Sequence, residues 1–105
     1  MRGFLVDPFL KNISEVDVDF EKDGLDAIYR LIDCSTFDVA FFNDLPGHAL
    51  HVDDDSPLKS TNLKFFKIRS GFSFFGKALL LGLLENGDSC DVSVTLAEFK
   101  KAIVF

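Results

Sequence analysis

Short runs in which apolar residues alternate with polar residues make up most of this chain, and such alternation is typical of half-buried β-strands. Residues 3–6 form a first apolar run. It ends at Asp7-Pro8, because proline removes a ladder donor and biases the preceding residue away from helix. In residues 13–20 the apolar side chains face one way and an acidic row faces the other. The pattern predicts that these two strands pair as a hairpin.

One segment instead has the period of an α-helix. Its apolar residues recur at i, i+3, i+4 and i+7 and define a core-facing stripe of Leu25, Ile28, Tyr29 and Ile32. Asp26 and Arg30 are four residues apart on the opposite side, where they can form an ion pair. The pattern predicts a central helix over residues 24–32.

The middle of the chain predicts a second hairpin and a less regular stretch. Residues 36–42 and 48–52 alternate as strands, and the turn between them is rich in Asn, Asp, Pro and Gly. Residues 63–68 fit either a fifth strand or a short helical turn, because a run of this length has no decisive period. Residues 70–76, with a glycine near each end, are expected to form a loop.

The last part of the chain predicts a strand, a tight turn, a second strand and a capped helix. Residues 78–84 are an apolar run, and Asn86-Gly87 favours a type I′ turn because both residues tolerate a positive φ. Residues 89–94 alternate as the return strand. Thr95 and Glu98 have the spacing of a capping box, in which each side chain bonds the backbone amide of the other residue, so a helix is predicted to follow.

These elements together predict an α+β fold. A chain of 105 residues is long enough for one domain with a hydrophobic core of its own, so residues 1–105 are expected to form a single domain. We expect a mixed, mostly antiparallel sheet of five to seven short strands, with one central helix and one short C-terminal helix.

The composition favours packing over chemistry. The chain is 48% hydrophobic and contains 13 Phe and no Trp, and Phe has no polar group to place in a site. Its formal net charge of −6 repels a phosphate backbone. In the densest basic stretch, Lys64 and Arg69 fall on opposite faces of a strand. We therefore expect no direct nucleic-acid binding, and a charged partner would be basic.

The sequence indicates neither secretion nor membrane insertion. The first apolar run is too short for a signal peptide, and no run reaches the roughly 18 apolar residues of a membrane span. Cys34 and Cys90 are too few for a disulfide framework and lack the spacing of metal ligands. We expect a cytoplasmic protein without a cofactor and without membrane contact.

One stretch resembles the start of a phosphate-binding loop, with the pattern G-x-x-x-x-G-K formed by Gly71, Gly76 and Lys77. The Ser or Thr that would bind magnesium is replaced by Ala78. Three bulky Phe residues also occupy positions where backbone amides would have to approach phosphates. A loop with anchored aromatic side chains is the better interpretation, and binding of a nucleotide or another small ligand is the alternative.

Residue patterns typical of catalytic or metal-binding sites are poorly formed in this sequence. His48 and His51 are three residues apart on a predicted strand, so their side chains are expected on opposite faces and cannot readily hold one ion. The three aspartates at 53–55 lack the spacing of a calcium loop and are expected to be solvated. Cys34 has no nucleophile signature around it. We expect a protein that is not an enzyme, with no catalytic residue and no metal site.

Three stretches, residues 3–16, 28–38 and 76–99, together resemble a family of small proteins carried by tailed phages and related mobile elements. The first contains Gly3-Phe4-Leu5-Val6-Asp7-Pro8-Phe9, the second Leu31-Ile32-Asp33-Cys34-Ser35-Thr36-Phe37, and the third Thr95-Leu96-Ala97-Glu98-Phe99. That family is known only as a domain of unknown function. The resemblance implies an accessory phage or prophage protein, and it implies no catalytic residues.

The leading hypothesis is therefore a non-enzymatic, acidic interaction module that binds a host protein, with a basic, nucleic-acid-handling factor as the expected class. The negative electrostatic potential would come from the carboxylates of Glu15, Asp17, Asp19, Asp53, Asp54 and Asp55. The apolar anchors would be Phe72, Phe74 and Phe75. One alternative is a ligand-binding protein that uses Gly71, Gly76 and Lys77. A second is self-association, for example as a homodimer, through the Phe-rich surface.

Overall fold

Antiparallel strands dominate the fold. The computed structural model describes residues 1–54 and 64–105, and within these residues nine strands form two sheets, accompanied by three short helices. The predicted α+β class with a mostly antiparallel sheet is confirmed. The finer arrangement differs, because every strand pair of the described residues is antiparallel and two sheets of six and three strands replace the single mixed sheet.

The elements follow one another as β1 (Arg2–Asp7), β2 (Asn12–Asp17), α1 (Phe20–Asp23), α2 (Asp26–Ile32), β3 (Phe37–Ala40), β4 (His48–Asp53), β5 (Phe65–Ile68), β6 (Ser73–Phe75), β7 (Ala78–Leu83), β8 (Ser89–Cys90), α3 (Leu96–Ala102) and β9 (Ile103–Val104). The main sheet has the order β2-β1-β7-β4-β3, and β8 pairs with the end of β7. The small sheet has the order β6-β5-β9. The two predicted hairpins, β1–β2 and β3–β4, are both present.

Strand β7 is the centre of the main sheet and is buried on both faces. It pairs with β1 on one side and with β4 on the other. Leu79 and Leu81 face helices α1 and α2, whereas Ala78 and Leu80 face the small sheet and α3. A strand covered on both faces needs apolar residues at every position, which explains why this run does not alternate.

Two layers cover the main sheet. On one face, Ala27, Ile28 and Ile32 of α2 pack against β7. On the other face, the small sheet contributes Phe66 and Ile68, and α3 contributes Phe99. The ring of Phe99 stacks on Phe4 of β1, with the ring centroids 5.7 Å apart. The core is therefore divided by the main sheet into two apolar clusters.

The predicted central helix is divided into two pieces. Asp19 caps α1 by accepting a hydrogen bond from the Lys22 amide, so the chain turns helical where a strand end was expected. Gly24 then adopts a φ of 58° and ends α1. Leu25 lies before the first turn of α2 and is 55% exposed, so its predicted place in the core stripe is wrong.

The small sheet was only partly predicted. Residues 65–68 are a strand, which resolves the open choice for this run, but the loop expected over residues 70–76 is wrong because Ser73–Phe75 forms β6 and pairs with β5. The third strand, β9, follows α3 directly. The capping box at the start of α3 is confirmed, with Thr95 Oγ1 accepting from the Glu98 amide at 3.1 Å and Glu98 Oε1 accepting from the Thr95 amide at 3.2 Å.

The turn after β7 is not of the predicted type I′. Gly87 has a φ of 93°, whereas Asn86 is not among the residues with a positive φ. The Gly87 amide donates to the Leu84 carbonyl, and the Leu84 amide donates to the Asp88 carbonyl. This is a type I turn closed by a left-handed glycine, the usual construction of a slightly longer hairpin loop.

Candidate functional site

Carboxylates and phenylalanines of the predicted interface meet beside β6. A cleft of about 220 Å³ opens there between the hairpin β3–β4 and the small sheet. We call it the acidic–aromatic cleft, and it is lined by Asp38, Val52, Asp53, Asp54, Ser73, Phe74 and Phe75. Asp53 and Asp54 of the predicted acidic cluster and two of the three predicted aromatic anchors are thus adjacent in space, although about twenty residues separate them in the chain.

Strand pairing places the carboxylates at this edge of the main sheet. Asp38 lies opposite Val52, and Phe37 lies opposite Asp53. Asp38 and Asp54 are exposed, whereas Asp53 is only 7% exposed. The expectation that the aspartates form a solvated strand end is therefore wrong for Asp53, because β4 continues through this residue. Asp55 lies outside the described residues.

The three predicted aromatic anchors have different surroundings, and the neighbours Phe74 and Phe75 lie on opposite faces of β6. Phe74 points inward and packs on Phe42 and Phe66, with ring centroids 5.7 and 5.8 Å apart. Phe75 points outward, is 42% exposed and lies 6.0 Å from the ring of Phe65. Phe72 is 59% exposed and contacts Phe42. Phe74 therefore belongs to the core, whereas Phe72 and Phe75 are available for contact.

The other predicted acidic residues lie at the opposite edge of the main sheet, on and after β2. Glu15 lies 3.5 Å from the Arg2 guanidinium, and Asp17 accepts from the amino group of Met1 at 3.0 Å. Asp19 is the cap of α1. The structure does not bring these residues together with the acidic–aromatic cleft, and each has a structural partner of its own.

The residues of the possible phosphate loop do not form one. A phosphate-binding loop leads into a helix whose amide groups face the ligand. Here Ser73–Phe75 pairs with β5, and Lys77 is followed directly by β7. The Lys77 ammonium lies 3.0 Å from Asp33 Oδ2. Gly71 and Gly76 have φ values of 112° and 80° and lie on either side of β6, so this stretch is part of a β-hairpin and does not lead into a helix.

The two histidines lie on opposite faces of β4, as predicted. Nδ1 of His48 donates to the Pro46 carbonyl at 3.0 Å, and its Nε2 accepts from the Ser93 amide at 3.1 Å. This imidazole connects the turn before β4 to the segment after β8. Among the described residues, no group of three or more His, Cys, Asp or Glu side chains is placed to hold a metal ion.

A second opening, of about 510 Å³, lies between α1, α2 and the main sheet. We call it the His51 pocket. Its apolar walls include Phe20, Leu25, Ile28 and Phe37, and its polar members are His51, Asp88 and Ser89. Sequence reasoning missed it, because these residues come from α1, α2, β3, β4 and the turn before β8. No local pattern connects segments so far apart.

His51 is held in a defined orientation at this pocket. Its Nδ1 lies 3.1 Å from the Leu79 carbonyl, which can only accept, so Nδ1 carries the proton. The ring lies against Phe37, with centroids 5.5 Å apart, and the residue is 6% exposed. Burial lowers the pKa of His51, and the backbone groups of Leu79 and Ala49 offset this only in part. The neutral ring presents Nε2 as a hydrogen-bond acceptor.

No helix of the described residues is long and apolar enough to cross a membrane.

The resemblance to a phage family stays a prediction. No protein-family model matches the chain, and no curated protein or solved structure matches it significantly.

Proposed function

We propose that this protein is a non-enzymatic interaction module that binds a basic segment of another protein at the acidic–aromatic cleft. The observation that carries the proposal is the adjacency of the exposed carboxylates of Asp38 and Asp54 and the exposed ring of Phe75 around one cleft. Aromatic side chains are enriched among residues that dominate binding energy, and surrounding charges guide the partner to them.

The charges around the cleft favour a cationic partner. The carboxylates of Glu15 and Asp17 at the other edge already lie beside Arg2 and the amino group of Met1. Asp54 is exposed, and within residues 1–54 and 64–105 the hydrogen bond to the Asp38 carboxylate comes from a neutral donor, the Val39 amide at 2.8 Å. A neutral donor leaves the negative charge of Asp38 in place. Arginine or lysine is therefore the complement that this surface requires.

A titration with a short peptide in which arginines flank two leucines tests the proposal. We expect saturable changes in the amide resonances of Asp38, Asp54, Ser73 and Phe75. Replacing both carboxylates, Asp38→Asn with Asp54→Asn, should weaken binding about two- to tenfold, because each exposed ion pair contributes only modestly. Phe75→Ala should weaken it at least about fivefold. Raising the salt concentration should weaken wild-type binding as well, because exposed charges are screened.

The matched control changes the same net charge at the opposite edge of the sheet. Glu15→Gln with Asp17→Asn is expected to leave the affinity for this peptide within about twofold of wild type, since surface pairs away from an interface contribute little. Equal weakening by the two double variants would mean that only the overall charge attracts the peptide. That outcome, or an affinity independent of salt, would contradict the proposal.

Self-association is the second candidate, and the outward face of the small sheet favours it. Phe65 and Phe75 are neighbours in the register of β5 and β6, and they are 49% and 42% exposed. Val104 of β9 is 44% exposed. A second copy of this chain would cover these side chains.

The biological setting is also a proposal. The resemblance of residues 3–16, 28–38 and 76–99 to small proteins of tailed phages supports an accessory role in a phage or related mobile element. The partner would then be a host protein, with a basic, nucleic-acid-handling factor as the expected class, in the cytoplasm. Co-purification of such a factor with the wild-type chain, and its loss with the Asp38→Asn, Asp54→Asn double variant, is the corresponding result in cells.

A further inference from the structure

The His51 pocket has the size and chemistry of a small-molecule site. Its volume of about 510 Å³ is more than twice that of the acidic–aromatic cleft, at about 220 Å³. Sites for small ligands are concave, mostly apolar and of a few hundred Å³, with a small number of polar groups that orient the ligand. The His51 pocket has this size and combines apolar walls with a few polar groups, and it is distinct from the acidic–aromatic cleft.

Somewhat more than half of the exposed pocket wall is apolar, and the pocket is partly open to water. Ile28 is buried in the core, whereas Leu25 is 55% exposed at the rim. Phe20 and Phe37 add two aromatic rings from α1 and β3. Leaving such side chains in water costs about 25 cal/mol for each Å² of apolar surface, so a bound apolar molecule would be stabilised here. A flat ring fits beside aromatic walls because offset and edge-to-face contacts between rings are favourable.

Three polar residues, His51, Asp88 and Ser89, supply the hydrogen-bonding groups of the pocket. Because the Nδ1 proton of His51 is directed to the Leu79 carbonyl, Nε2 of the neutral ring can accept but cannot donate. The contact with Phe37 holds the plane of the imidazole. Asp88 lines the same pocket, and Asn86 Nδ2 donates to its Oδ2 at 3.1 Å, which fixes this carboxylate in the turn. An acceptor together with a carboxylate selects against anionic ligands.

We propose that the His51 pocket binds a small, uncharged or cationic aromatic molecule that carries one N–H or O–H donor, with the donor bonded to His51 Nε2. The ring occupies the space between Leu25, Ile28 and Phe37. Asp88 excludes aromatic carboxylates and phosphates. No chemical step is involved, so the role of the site is recognition.

Indole and benzofuran are a matched pair of probes, because they have nearly the same shape and only indole has a donor. Titration of the wild-type protein, followed by the amide resonances of Leu25, Ile28 and Asp88, should show saturable binding of indole with a dissociation constant on the order of 1 mM. Benzofuran should bind about two- to tenfold more weakly, which is the usual contribution of one neutral hydrogen bond. Equal affinity for the two probes, or no saturation with indole, would overturn the proposal.

Two variants locate the site. Leu25→Asp should weaken indole binding at least about tenfold, because a charge then faces the apolar ring. Leu10→Asp makes the same change in the β1–β2 turn, where Leu10 is 75% exposed, and should not affect indole binding. His51→Phe should bind indole and benzofuran equally. If the His51 variant does not fold, the Leu25 and Leu10 variants still test the location of the site, since both side chains are exposed. Equal weakening of indole binding by these two variants would contradict the assignment of indole to the His51 pocket.

Discussion

The two histidines of β4 are held by different groups. His48 connects two backbone segments through both of its ring nitrogens. His51 is enclosed between β7, β3 and the helices, and its pKa is lowered, mainly by burial. A buried imidazole whose charged form is disfavoured makes the folded state sensitive to acid.

We expect His51 to reduce stability as the pH falls below about 6.5, the pKa of histidine in an unfolded chain. Below that pH the unfolded state binds the proton and the folded state does not, so the free energy of unfolding decreases until the lower folded-state pKa is reached. Urea unfolding of wild type and His51→Gln at a series of pH values measures this. The Gln variant should have the flatter profile over this window, since the carboxylates titrate in both proteins. Parallel profiles would contradict the expectation.

Among the helices and strands, local sequence signals correctly predicted those elements that depend mainly on their own residues. The hairpins β1–β2 and β3–β4 and the capping box of α3 were predicted from alternation, turn residues and a three-residue spacing. The errors at β6 and β9 concern tertiary partners. Ile103–Val104 is a strand only because β5 lies beside it, and β6 is a strand only because the chain reverses at Gly71. Such pairings have no signature within either segment.

The division between α1 and α2 shows how one backbone angle changes an element. The i, i+3, i+4, i+7 stripe correctly identified Ile28 and Ile32 as core residues. It failed at Leu25, because Gly24 adopts a φ that only glycine adopts readily and the helical repeat restarts after it. The expected pair of Asp26 and Arg30 is also altered, since Arg30 Nη2 lies 3.2 Å from Asp23 Oδ2. The His51 pocket opens at this break, which the sequence pattern could not indicate.

The cap of α3 should make a measurable contribution to stability. Thr95→Ala removes the hydroxyl that accepts from the Glu98 amide and is expected to lower the free energy of unfolding by about 1 kcal/mol. Thr95→Ser keeps the hydroxyl and should remain within a few tenths of a kcal/mol of wild type. Urea denaturation of the three proteins gives these values. A Ser variant as unstable as the Ala variant would show that the methyl group, and not the hydrogen bond, is responsible.

At the scale of the whole molecule, charge is distributed unequally around the small sheet. The carboxylates of the acidic–aromatic cleft lie beside β6. Arg69 lies beside β9, where its Nε donates to the Lys101 carbonyl and its amide donates to the Ala102 carbonyl. The exposed rings of Phe65 and Phe75 lie between these two flanks. A two-fold axis parallel to the strands would place the basic flank of one copy opposite the acidic flank of the other.

Self-association through this face predicts a concentration-dependent dimer in sedimentation velocity. Phe65→Ser with Phe75→Ser should shift the equilibrium to the monomer, because the apolar centre of the contact is lost. Phe9→Ser with Leu10→Ser removes side chains that are 47% and 75% exposed on the β1–β2 turn, and it should leave the equilibrium unchanged. A wild-type protein that sediments as a monomer at every concentration would exclude this second candidate.

The central place of β7 has a consequence for synthesis. The hairpins β1–β2 and β3–β4 do not pair with each other in the described residues, and both are joined only through β7. A nascent chain therefore emerges from the ribosome with two hairpins, while the strand that unites them is translated later. Until then their apolar faces depend on chaperones or on transient collapse for protection.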